Sequence, residues 1–193
     1  MNSVINRRFG TSQRLELNNA EWLGHGMSAK SVRFEMGQGG LPPCVNWEDR
    51  SAAIALMKVR HVKALASILL WGGNNSWDNT ECFNAVVSHL SALMIDRCEH
   101  DGQEAPSYHS LEEMARLMAR MTLHFELYQL WSVYTVEGLL FFSGIKVPVK
   151  TYSRLWSGYK NKMLEDLEDL VVLVDADISE YRFNLSVSYE VRR

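Results

Sequence analysis

The chain has 193 residues, 47% of them hydrophobic and 22% charged, with a net charge of −3. That is enough apolar material for one domain with a real core. It excludes a polycation, so any nucleic-acid contact has to come from a local basic patch on a mildly negative background.

The first residues, "MNSVINRRFGTSQ", are polar and lack the apolar stretch of a secretory leader. The apolar run "ALASILLWGG" is far shorter than a membrane span. Cys44, Cys82 and Cys98 are widely spaced, which fits a reduced, cytoplasmic protein better than a disulfide framework.

In chain order, residues 1–45 read as an arm with short strands. Leu15 and Leu17 alternate, as do Val32, Phe34 and Met36, and Gly37 to Pro43 then breaks the chain. Arg7, Arg8 and Arg14 make this arm basic. From Asn46, a candidate N-cap, a helix runs to the stop at Gly72-Gly73. Within it Lys58, Arg60, His61 and Lys63 spread round the circumference and form a polar rim, not a stripe. A second helix is capped by Asp78 or Asn79 and ends before Gly102.

Ser110 to Glu113, "SLEE", has the form of a capping box, with the Ser110 hydroxyl on the N3 amide and Glu113 reaching back. The helix it opens carries Leu111, Met114, Met118, Met121, Phe125 and Tyr128 on one stripe, read as core. "VYTVEGLLFFSGI" is a further helical segment ended by Gly144, and Pro148 suits the first turn of the next helix.

Along that last helix, Val149, Tyr152, Trp156, Tyr159, Met163, Leu167, Leu170 and Val174 fall on one side at 100° per residue. Lys150, Ser153, Arg154, Ser157 and Asn161 fall opposite, with Lys160 at the rim. No acid occurs from Gly138 to Leu164, while Glu165, Asp166, Glu168 and Asp169 follow. Cations near a helix N-terminus and anions toward its C-terminus oppose the helix dipole, so this order is better suited to an external anion such as phosphate. The tail, Tyr181 to Val191, alternates apolar and polar residues six times and reads as a β-strand.

A helix ending in Gly144-Ile145, a short connection, then "TYSRLW" resembles a helix-turn-helix over about residues 137–165. Such units occur in sigma-factor region 4 and in phage Q-type antiterminators. The connection from Gly144 to Thr151 is about two residues longer than usual, and Leu140 stands where the helix crossing usually has Ala. The resemblance implies that Lys150, Thr151, Ser153, Arg154, Ser157 and Asn161 face the major groove or its phosphates. It implies backbone contacts for Lys146, Lys160 and Lys162, with Arg154 the base reader. Contact with RNA polymerase is a further implication.

No nucleophile motif and no phosphate-binding glycine loop is present, which points away from an enzyme and from a cofactor. Cys82, His89, Cys98, His100 and His109 lack metal-ligand spacing, so no metal site is expected. The expected fold is mainly α: a bundle of four or five helices over 46–178, with a small β element from the arm and the 179–193 strand. The expected function is that of a DNA-binding transcription regulator; its C-terminal strand needs a partner, either Val32 to Met36 of the same chain or the same strand of a second chain in a homodimer. The alternative is a protein-binding adaptor that uses a Met-rich helical groove and the same strand.

Overall fold

A computed structural model describes residues 19–24, 47–71 and 81–191. The helices are α1 (Asn19–Gly24), α2 (Trp47–Ala55), α3 (Arg60–Trp71), α4 (Glu81–Asp101), α5 (Leu111–Leu127) and α6 (Val136–Ser143). A one-turn α7 (Val149–Thr151), a π-helical turn (Tyr152–Trp156) and α8 (Ser157–Val191) then follow without a break. The arm strands at Leu15–Leu17 and Val32–Met36, the Gly37–Pro43 break, the basic Arg7, Arg8 and Arg14, and the caps at Asn46 and Asp78/Asn79 lie outside the described residues, as does Gly72-Gly73.

The core is made by α3, α4, α5 and α8, which pack on one another in sequence and close through α8 onto α3. Leu65, Leu90, Met94, Met114, Met118, Trp156, Met163, Leu167 and Ile178 are fully buried there. The methionines of α5 are therefore core, as expected from their spacing: Met114, Met118 and Met121 are all buried. The flexible thioether fills the irregular gaps between helices of different length. Arg97 on α4 grips Asp166 on α8 through two nitrogens, each 2.5 Å from a carboxylate oxygen.

Two expectations are corrected. The helix from residue 46 onward is two helices: α2 ends at Ala55, and α3 starts after the turn at residues 56–59. Neither Gly nor Pro marks this break. Instead the Lys63 ammonium donates to the Ala55 carbonyl at 2.7 Å, and Met57 turns into the core, so tertiary contacts hold the corner.

The second correction is larger. The C-terminal segment is helix through Val191, and no strand occurs among the described residues. The reason is α1. Asn19 donates to the Asp175 carbonyl, the Asp175 carboxylate and the Ser179 hydroxyl at 2.7 to 3.1 Å, and it accepts from Arg182 at 2.7 Å. Trp22 meets the Tyr181 ring and the guanidinium groups of Arg50 and Arg182. These contacts need Asp175, Ser179 and Arg182 on successive turns, a spacing that only a helix supplies. A period-two apolar pattern wound as helix puts apolar groups on two faces. Tyr181 and Leu185 accordingly pack on the bundle, while Phe183 and Val187 stay exposed. With no strand there, pairing of two chains through it and strand addition to a partner both fall away.

Candidate nucleic-acid interface

The stretch from Thr135 to Asn161 is built by local rules. Thr135 caps α6, its hydroxyl accepting from Gly138 N–H at 3.3 Å. At the other end Gly144 takes φ +74°, with its N–H on Phe141 O and the N–H of Ile145 on Leu140 O. That pair of bonds is a Schellman stop, which needs a residue free to adopt the left-handed conformation. Ile145 and Val147 then turn into the core, and Pro148 precedes α7. The connection is thus Gly144 to Pro148, shorter than the run to Thr151 read from the sequence, because the helix already starts at Val149.

A side-chain clamp holds this turn. Lys146 N–H donates to His109 Nε2 at 2.9 Å, which in a neutral ring leaves the proton on Nδ1. His109 Nδ1 lies 3.2 Å from Glu113 Oε2 but is too poorly aligned for a hydrogen bond. The Ser110 hydroxyl accepts from Glu113 N–H as the capping box requires, while the Glu113 carboxylate is drawn to His109.

The π turn adds a further feature. Ser157 N–H reaches back five residues to Tyr152 O, and its hydroxyl donates to Ser153 O at 2.6 Å. Tyr152 is 4% exposed and its hydroxyl finds no hydrogen-bond partner among the described residues. Burial pushes its pKa up to about 12, so it stays protonated. Such turns occur often at functional sites. Beyond it the apolar side is buried as the spacing required, from Tyr152 and Trp156 through Met163, Leu167 and Leu170 to Val174.

The basic residues separate into three kinds. Lys146, Lys150, Ser153, Arg154 and Asn161 are exposed, and Lys146, Lys150 and Arg154 have no ion-pair partner among the described residues. Lys150 and Arg154 are one turn apart on the same side. Thr151 is half-buried, and Ser157 spends its hydroxyl on the backbone. Lys160 lies with its ammonium 5.0 Å from the Trp131 ring centroid, half-buried, and burial lowers its pKa. Lys162 pairs with Glu165 at 2.8 Å. Lys160 and Lys162 therefore each have an intramolecular partner that the sequence did not reveal.

The acids that follow are accounted for in the same way. Asp166 holds Arg97, and Glu165 holds Lys162. Because α8 runs to Val191, these acids stand in its first half, far from the C-terminal end where they would oppose the dipole. Only the cationic half of the inversion survives.

Elsewhere, His61 stacks on His89, and Cys98 is fully buried beside Tyr159, which donates to Asp101 at 2.9 Å. Burial raises the pKa of both Cys98 and Tyr159. Among the described residues no three His, Cys, Asp or Glu side chains stand together in a metal-binding arrangement. No helix of the described residues is long and apolar enough to cross a membrane.

No protein-family model, curated protein or solved structure matches this chain.

Proposed function

We propose that the exposed face carrying Lys150 and Arg154 binds duplex DNA, and that the protein is a non-enzymatic regulator of transcription. The observation that carries this reading is the pairing of two free cations, one turn apart, with a buried stripe on the opposite side of the same helix. Ser153 and Asn161 extend the exposed face with groups that can donate to phosphate or to base edges. Lys146 adds a cation from the turn, and the segment from Gly138 to Leu164 itself contains no acid. The preceding helix, stopped by a left-handed glycine, supplies the frame that resembles a helix-turn-helix. Action on or with RNA polymerase, as in antitermination, follows from that resemblance alone.

Fluorescence anisotropy of a mixed-sequence duplex, at low and at near-physiological salt, tests the reading. Binding that weakens severalfold with salt and disappears in the Lys150→Ala/Arg154→Ala double variant supports it. No binding at low salt overturns it.

A further inference from the structure

The residues around α6 carry an apolar surface that the DNA reading does not use. Phe141 is 80% exposed and Phe142 62%, with Val133 and Val136 exposed beside them. The rings are ordered into a ladder. Phe141 meets Phe142 edge-on at 5.5 Å, Phe142 meets Tyr134 at 4.8 Å, and Tyr134 meets Phe125 at 5.5 Å. Behind this ladder lies a cavity of about 270 Å³, lined among others by Phe83, Leu117, Phe125, Tyr134 and Phe142.

One wall of the cavity is Arg120, its guanidinium 5.4 Å from the Phe83 ring centroid and with no carboxylate partner among the described residues. A half-buried arginine facing an aromatic cavity, with no carboxylate on it among the described residues, can take an anion by charge-assisted hydrogen bonds. The same surface also carries an unpaired anion. Glu137 is exposed, has no cation partner among the described residues, and lies four residues before Phe141 on the same side of α6. The patch therefore holds one ring-and-carboxylate pair pointing outward and one ring-lined cavity with an arginine beside it.

We infer that a second copy of this chain docks here as a two-fold pair, Phe141 of each copy entering the aromatic cavity of the other and Glu137 of each meeting Arg120 of the other. A two-fold interface requires one patch to be complementary to itself, and this patch contains both halves of such a contact. Aromatic residues and arginine are the usual energetic centres of an interface. Phenylalanine rings bury about 150–250 Å² each. Scaled to their exposures of 80% and 62%, the two rings of each copy supply on the order of a third of the roughly 1,200–2,000 Å² that a stable interface buries. The inference is independent of DNA binding, since none of Lys146, Lys150 or Arg154 takes part.

Sedimentation velocity over a range from low to high micromolar tests it. The wild-type chain is expected to shift from 22.1 kDa toward twice that mass. Phe141→Asp, at a site too exposed to threaten the fold, is expected to weaken association at least tenfold. Glu137→Arg and Arg120→Glu are each expected to weaken it, and the double variant to recover it because the pair is re-formed with its signs exchanged. Circular dichroism melts confirm that each variant is folded. A wild-type chain that stays at 22.1 kDa throughout overturns the inference, as does a dimer indifferent to Phe141→Asp. Dissociation by Phe141→Asp with no recovery in the exchanged pair overturns the Glu137–Arg120 contact.

Discussion

The imidazoles of His61 on α3 and His89 on α4 lie face to face, 3.7 Å between centroids and 6° from parallel. Burial lowers the pKa of both, and each proton on His61 further disfavours one on His89, while Asp166 pulls the other way. Arg60 and Glu81, paired at 2.7 Å, line the same cleft. A histidine whose folded pKa is depressed binds fewer protons when folded than when unfolded. Stability is therefore full above the ordinary value of 6.5 and is lost progressively as pH falls below it, toward the depressed folded values. Melting temperature should fall as pH is lowered from neutral through 6.5, by a modest amount because both rings remain partly in solvent. In the His89→Asn variant that part of the pH dependence should shrink, and an unchanged curve would count against the stack as its source.

Arg97–Asp166 and Lys162–Glu165 are both ion pairs of α8, yet they should differ in weight. The first is bidentate and its carboxylate side chain is 11% exposed; the second is 58% and 63% exposed. Urea denaturation of Asp166→Ala should show a loss of about 2 kcal/mol. Glu165→Ala should cost less than about 1 kcal/mol. Equal losses would contradict the assignment of α4–α8 locking to Arg97.

Gly144→Ala should destabilise the protein by about 1–2 kcal/mol, because φ +74° penalises any side chain even where the space is open. The loss would be read from chemical denaturation. Gly158→Ala provides the comparison: it sits in α8 with open space around its missing Cβ, and replacement should stabilise by up to about 1 kcal/mol.

Lys150 and Lys160 separate surface charge from packing. Lys150→Ala should reduce the salt dependence of DNA binding by about one unit of slope and leave thermal stability unchanged. Lys160→Ala should leave the slope unchanged and lower stability by about 0.5–1 kcal/mol through loss of the Trp131 contact. A Lys160 variant that alters the slope would return that residue to the DNA face.

The helical interior was legible wherever apolar spacing followed 3.6 residues over several turns, as on α5 and on the helix from Val149. Ser110 and Gly144 were legible as caps because the chemistry of a helix end is local. Three features were hidden for reasons of distance. The corner at residues 56–59 depends on Lys63 and Met57, and no breaker residue announces it. The tail reads as strand by periodicity and folds as helix because Asn19 and Trp22, more than 150 positions earlier, take hold of it. Lys160 looks like its basic neighbours in sequence, and only Trp131 across the fold distinguishes it. The exposed face itself was placed correctly by periodicity; which of its hydroxyls and cations remain free was not.

The 35 residues of α8 span about 52 Å as one uninterrupted rod. The rod is continuous at its head with the π turn, the one-turn α7 and the cations of Lys150 and Arg154; it passes through the core at Met163 and Leu167 and is held by α1 at Asp175 and Ser179. Within α8 itself the helix is unbroken, and the π turn at Tyr152–Trp156 joins it to the cations. Any ligand that tilts the end near Phe183 by a tenth of a radian about a mid-rod pivot swings the cationic end by about 2–3 Å, close to the 3.4 Å rise of one base pair. The helix would then act as a lever pivoted at its middle, in which a tilt at one end moves the other.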